Sequence, residues 1–194
     1  MAHGLSSIDW QAPWLTPWRE RGEWIAEQVK QGASVEQACN ASLQLRRPPI
    51  EMLSQGHQAV CHVRFVPQAA LPDGQAYEQF IFNAQQVPTR DGLHDFFNAL
   101  CWLQFPLAKK QLNQVQAAAI QAQGVGAVRG AVRDAVTVFD ENACLLQVDD
   151  VVWNALVRRD WHAAFVAHRG FWDAAHMQIF GHAALEKLVA PYKA

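Results

Sequence analysis

The sequence predicts an α+β fold: a single compact domain in which a β-hairpin, part of a small and mostly antiparallel sheet, packs against several helices. Three observations carry this. The chain has 194 residues, the length of one domain whose core needs no covalent staples. Residues 92–104 repeat apolar side chains at helical spacing, whereas 59–66 alternate with a period of two. Strands and helices are mixed without strict βαβ alternation. No repeat, low-complexity stretch or linker divides the chain, so 1–194 is expected as one domain, with 1–50 a Trp-rich helical segment packed on the α+β core.

The elements follow in order. Trp10, Trp14, Trp18 and Trp24 crowd the N-terminus, two of them behind prolines, and proline is tolerated in a first helical turn. They offer either a stacking platform or aromatic packing that pins the segment. Ser34 with Gln37 forms a capping box opening a helix to about Leu43, which Arg46-Arg47-Pro48-Pro49 ends. In 59–66, Cys61, Val63 and Phe65 share one face of a half-buried strand, and Tyr77–Phe82 reads as another strand after the Pro72-Asp73-Gly74 turn. Asp91 is expected to cap the 92–104 helix, Pro106 lies just past its end, and a polar helix spans roughly 107–122. GVGAVRG reads as a flexible loop, 132–139 and 144–148 as the hairpin, and Asp140-Glu141-Asn142 as its turn. Helices are expected at 151–157, capped by Asp149 and Asp150, and at 160–168; a short strand follows near 176–180, and a last helix spans 182–189.

Composition narrows the function. A formal net charge of −2 and a pI near 6.4 argue against binding nucleic acid through bulk positive charge, and against a polybasic membrane anchor. No apolar run approaches membrane-spanning length, and the first residues lack a basic region followed by an apolar one, so a cytoplasmic location is expected. Cys39, Cys61, Cys101 and Cys144 form no CxxC pair and are read as reduced, buried, small hydrophobes. No HExxH zinc signature, phosphate loop or nucleophile elbow is present, and the glycines of GVGAVRG are misspaced for a dinucleotide fingerprint.

Three constellations remain. On the 92–104 helix, His94, Asp95, Asn98 and Trp102 fall within about 100° of one another, opposite Leu93, Phe96, Phe97, Leu100, Cys101 and Leu103. A solvated stripe favours Lys, Glu, Arg and Gln; His, Asp, Asn and an indole fit a lined cleft better. Arg133-Asp134 offers an anion clamp and a cation ligand, although a structural ion pair would use the same residues. His182 and Glu186, four apart on one helical face, could form a base with its orienting carboxylate or share a metal.

The stretches VRFVPQ (63–68), YE (77–78), PTRDGLHDFFNALCWLQFP (88–106), RGAVRDAVTVFDEN (129–142) and FGHAALEKLVAP (180–191) resemble a bacterial family of unknown function, known chiefly from proteobacterial genomes. The HDxFNAxxW and RDAxTxFDE patterns are its most specific marks; Ala143 departs from a glycine often found there. The resemblance implies a bacterial cytosolic protein and imports no activity, but it covers His94, Asp95, Asn98, Arg133, Asp134 and His182.

The expectation is a small enzyme carrying out metal-assisted hydrolysis of an anionic, phosphoester-like substrate. His94, Asp134 and His182 would be catalytic, and His94 with Asp95 or Asp134 would hold a divalent metal ion. Asn98, Trp102 and Arg133 would bind substrate. The alternative is a non-catalytic binding module for an anionic small molecule or a partner protein, with the same polar groups as its recognition surface. A third reading makes them a buried hydrogen-bond network that fixes the fold.

Overall fold

The computed structural model describes residues 4–45, 63–124 and 130–191, so Cys61, the start of the 59–66 strand and most of GVGAVRG lie outside the described residues. The α+β class holds: the chain is mainly helical, with four short strands among the described residues. It divides into two compact units, one of residues 1–143 and 180–194, the other of 144–179.

The larger unit starts with short 3-10 turns at Leu5–Ser7 and Pro13–Leu15, the second with proline at its first position. Helix α1 (Arg19–Lys30) and α2 (Val35–Ser42) follow. Two of the N-terminal tryptophans pack against the core. Trp10 meets Phe96 edge-on and lies so close to Gly22 that a Cβ there would enter its ring; Trp18 is buried against Phe105. The Ser34–Gln37 capping box forms at α2 as expected, with Ser34 N donating to Gln37 Oε1. Asp91 is not the cap of the 92–104 helix. Gly92 takes that position, and Asp91 Oδ1 accepts from Val35 N at 2.9 Å, serving the N-terminus of α2 instead.

Strand β1 (Arg64–Pro67) pairs in parallel with β2 (Gln86–Thr89), with α3 (Tyr77–Ala84) in the connection. A parallel pair requires such a crossover, and the expected strand at Tyr77–Phe82 is therefore a helix. The 3.6-residue period was present in it: Phe80 and Ile81 are buried with Tyr77 one turn back, while Phe82 is exposed. Asn40 of α2 fixes the outer edge of β1 by donating to Phe65 O and accepting from Phe65 N.

Helix α4 (Leu93–Gln104) supplies the centre of the core through Phe96, Phe97, Leu100, Cys101 and Leu103. Pro106 opens α5 (Pro106–Gln123), whose first N–H would have no partner in any case. The largest correction concerns the hairpin. Residues 131–142 form helix α6 (Ala131–Asn142), and β3 (Cys144–Gln147) pairs antiparallel with β4 (His176–Ile179) instead. VRDAVTVF satisfies both periods, and its Ala135, with high helix propensity, suits the helical one. Helix α8 (His182–Val189) lies against the end of α6. Phe180 N and Gly181 N both donate to Ala143 O, and Gly181 has no room for a Cβ beside the Glu141 carbonyl.

The smaller unit holds β3, α7 (Asp150–Val157), a π-helical turn at Ala163–Ala167, a 3-10 stretch at Arg169–Ala174 and β4. Asp149 caps α7 by accepting from Val151 N. Cys39 and Cys101 are buried as expected, but Cys144, at the start of the mostly exposed strand β3, is exposed. Among the described residues no helix is long and apolar enough to cross a membrane.

Candidate functional site

Helices α3, α4, α5, α6 and α8 enclose a cleft of about 480 Å³ within the larger unit. Each contributes side chains to it: Tyr77 and Glu78; His94, Asp95, Asn98 and Trp102; Lys109, Asn113 and Gln116; Arg133, Thr137 and Asp140; and His182. Most of these groups are spent on one another. Lys109 Nζ donates to both oxygens of Asp140, at 2.6 and 2.7 Å, and to Asn98 Oδ1 at 2.9 Å, so its three protons are all engaged. It also lies 5.4 Å from the centre of the Trp102 ring, a cation–π contact. Asn98 Nδ2 donates onward to the Tyr77 hydroxyl at 3.1 Å. Gln116 donates to Thr137 Oγ1, and Asn113 to Glu78.

Asp95 is held from above. Arg90 N, Nε and Nη2 all donate to its carboxylate at 2.7–3.0 Å, a fork-shaped grip that also raises the Arg90 pKa. The carboxylate thus positions the loop before α4.

Two imidazoles stand together. His94 Nδ1 lies 2.8 Å from Glu186 Oε2, and its ring meets the His182 ring edge-on with 4.7 Å between centroids. His182 Nδ1 lies 3.0 Å from the Asp140 carbonyl oxygen. A carbonyl can only accept, so that nitrogen carries the proton and His182 Nε2 has a free lone pair. Burial, then the nearby Lys109 charge, push the His182 pKa down to about 4, outweighing the Asp140 carboxylate. At neutral pH this ring is uncharged. Burial and the carboxylates of Glu78, Asp95 and Asp140 likewise raise the Tyr77 pKa well above its usual value, so it stays a phenol.

Four groups lining the cleft are left with unused capacity among the described residues: the Nε2 atoms of His94 and His182, the Tyr77 hydroxyl proton and the Arg133 guanidinium, whose buried Nε has no partner. Of the residues expected from the sequence, His94, Asp95, Asn98, Trp102, Arg133 and His182 all line this cleft, and Asp134 does not. Asp134 is exposed one position round α6 from Arg133. The expected metal trio of His94, Asp95 and Asp134 is therefore not assembled, Asp95 being taken by Arg90 and Asp134 lying outside. Among the described residues no three His, Cys, Asp or Glu side chains are gathered to hold a metal. The expected His182–Glu186 pair is also replaced: Glu186 serves His94.

Tyr77, Arg90, Lys109, Asn113, Gln116 and Asp140 were missed as site residues. Lys109, Asn113 and Gln116 recur at helical spacing on a helix already expected. Arg133, Thr137 and Asp140 do the same on α6 and were hidden by its reading as a strand.

A family described as "Protein of unknown function (DUF3025)" matches residues 63–194, a span that contains every cleft residue named above. No curated protein and no solved structure matches the chain.

Proposed function

The chain belongs to the DUF3025 family of proteins of unknown function, and we propose that its cleft is the active site of an enzyme that hydrolyses an ester-type bond in an anionic small molecule by general base catalysis. The observation that carries this is the His94–Glu186 pair. With its Nδ1 proton given to the carboxylate, His94 keeps Nε2 basic and oriented toward proton transfer, the arrangement a general base needs. Water attacks the substrate's acyl or phosphoryl centre, its proton passes to His94 Nε2, and the same nitrogen returns that proton to the leaving oxygen. Tyr77 donates its free hydroxyl proton in a hydrogen bond to the oxygen that gains charge. Neutral His182 accepts a hydrogen bond from the attacking water rather than acting as an acid. Arg133 attracts the anionic part of the substrate.

This reading uses no metal: His94 and His182 each offer one ring nitrogen, and no third donor is gathered beside them among the described residues. The rival, a binding module, is favoured by the closed Lys109–Asp140–Asn98–Tyr77 network, which preorganises a pocket without chemistry.

A panel of p-nitrophenyl carboxylate and phosphate esters tests the proposal, with His94→Gln beside wild type and Asp134→Asn as a control. Turnover that falls about 100-fold or more in His94→Gln at unchanged thermal stability supports it. Equal turnover in His94→Gln overturns it. Saturable binding of anions without turnover of any ester selects the binding module.

A further inference from the structure

We infer that Arg133 forms an anion subsite of its own, distinct from the histidine pair, and that the ligand of this cleft is an elongated molecule with an acidic group at one end. The inference about length rests on the catalytic reading above; the subsite does not. Arg133 lines the cleft, and its Nε is fully covered yet has no hydrogen-bond partner among the described residues. A buried guanidinium N–H without an acceptor is costly, and a ligand oxygen that draws the side chain toward the cleft removes that cost. A guanidinium fork matches a carboxylate or a phosphate, and the two share this recognition chemistry.

Its place on α6 separates it from the chemistry. His182 is bonded to the carbonyl of Asp140, seven positions after Arg133. At 1.5 Å per residue that is roughly 10 Å along the helix. Helical side chains tilt toward the N-terminus, so Arg133 reaches away from Asp140 and does not close the gap. Lys109 cannot stand in as a nearer anion clamp, since its protons are spent on Asp140 and Asn98. Leu112, Ile120 and Val136 also line the cleft, on α5 and α6, and offer apolar contacts to an aliphatic linker among the polar groups.

Isothermal titration of the full chain with inorganic phosphate and with butyrate, at near-physiological salt, tests the subsite. Wild type is expected to bind at least one of them saturably with 1:1 stoichiometry, and the tighter one names the acidic group. Arg133→Gln should weaken that binding by about tenfold or more, as expected for the loss of a charged hydrogen bond, while Asp134→Asn, outside the cleft, stays within about twofold. No saturable binding by wild type, or unchanged binding by Arg133→Gln at unchanged thermal stability, overturns the subsite. A series of p-nitrophenyl monoesters of α,ω-dicarboxylic acids then tests the length. A maximum of kcat/KM at intermediate chain length that disappears in Arg133→Gln supports it, and a flat series overturns it. Anion binding at Arg133 with no ester turnover would defeat the hydrolytic reading alone.

Discussion

His94 and Glu186, 92 positions apart in the chain, meet at 2.8 Å between Nδ1 and Oε2, joining α4 to α8 at the cleft. Both side chains are more than a third exposed, so the pair contributes little to stability, at most about 1 kcal/mol. Its effect is on the ring's tautomer and orientation. Glu186→Gln retains an acceptor for Nδ1–H but loses the charge; Glu186→Ala loses both. Turnover is expected to fall more in Glu186→Ala than in Glu186→Gln, by about 10- to 100-fold, with thermal stability nearly unchanged. The loss should fall on kcat more than on KM, a readout that a packing role would not single out.

Lys109 and Asp140 make the opposite case. Their side chains are 4% and 17% exposed, and removing either leaves a charge buried without its partner. Lys109→Met is expected to cost about 3–5 kcal/mol in urea unfolding. Lys109→Met with Asp140→Asn should cost clearly less than the sum of the two singles, because the second change removes the orphaned charge.

His182 sets a pH dependence whose sign is fixed. Its folded pKa of about 4 lies below the ordinary 6.5, so the unfolded chain takes up the proton first as pH falls. Its contribution is therefore present above pH 6.5, is lost between there and about pH 4, and is flat below. The loss is about 3 kcal/mol. Urea unfolding of wild type and His182→Asn across this window should give a difference that shrinks as pH falls; a difference independent of pH would show that His182 does not titrate this way.

Much of this was legible in local pattern. The capping box at Ser34, the bounds of α4 and α8, and the polar stripe of His94, Asn98 and Trp102 on α4 follow from spacing and residue type, whereas the meeting of that stripe with Arg133 and His182 in one cleft does not. What failed did so for two physical reasons. VRDAVTVF fits a period of two and of 3.6 equally well, and reading it as a strand placed Asp140 in a turn, some 20 Å from Asp134 at about 3.3 Å per residue. In the helix, Asp140 shares a face with Arg133 and Thr137. Partner choice is the second reason. Glu186 lies one turn from His182 but bonds His94, and Asp91 precedes α4 but serves α2, because tertiary approach outweighs local spacing.

Gly181 sits where α6 ends and α8 begins, and its role is steric rather than conformational. Its φ of −71° is open to any residue, yet a Cβ would overlap the Glu141 carbonyl and the Asn142 nitrogen. Those atoms are backbone and cannot swing aside, so Gly181→Ala must push α8 away from α6. The expected cost is about 1–3 kcal/mol, read by urea unfolding. The displacement acts on the next residue: His182 loses its close seat against the Asp140 carbonyl and part of the burial that holds its pKa near 4. A His182 pKa that moves up toward 6.5 in Gly181→Ala, followed by NMR titration, would tie the close helix approach to the neutral imidazole in the cleft. An unchanged pKa in a destabilised variant would separate the two.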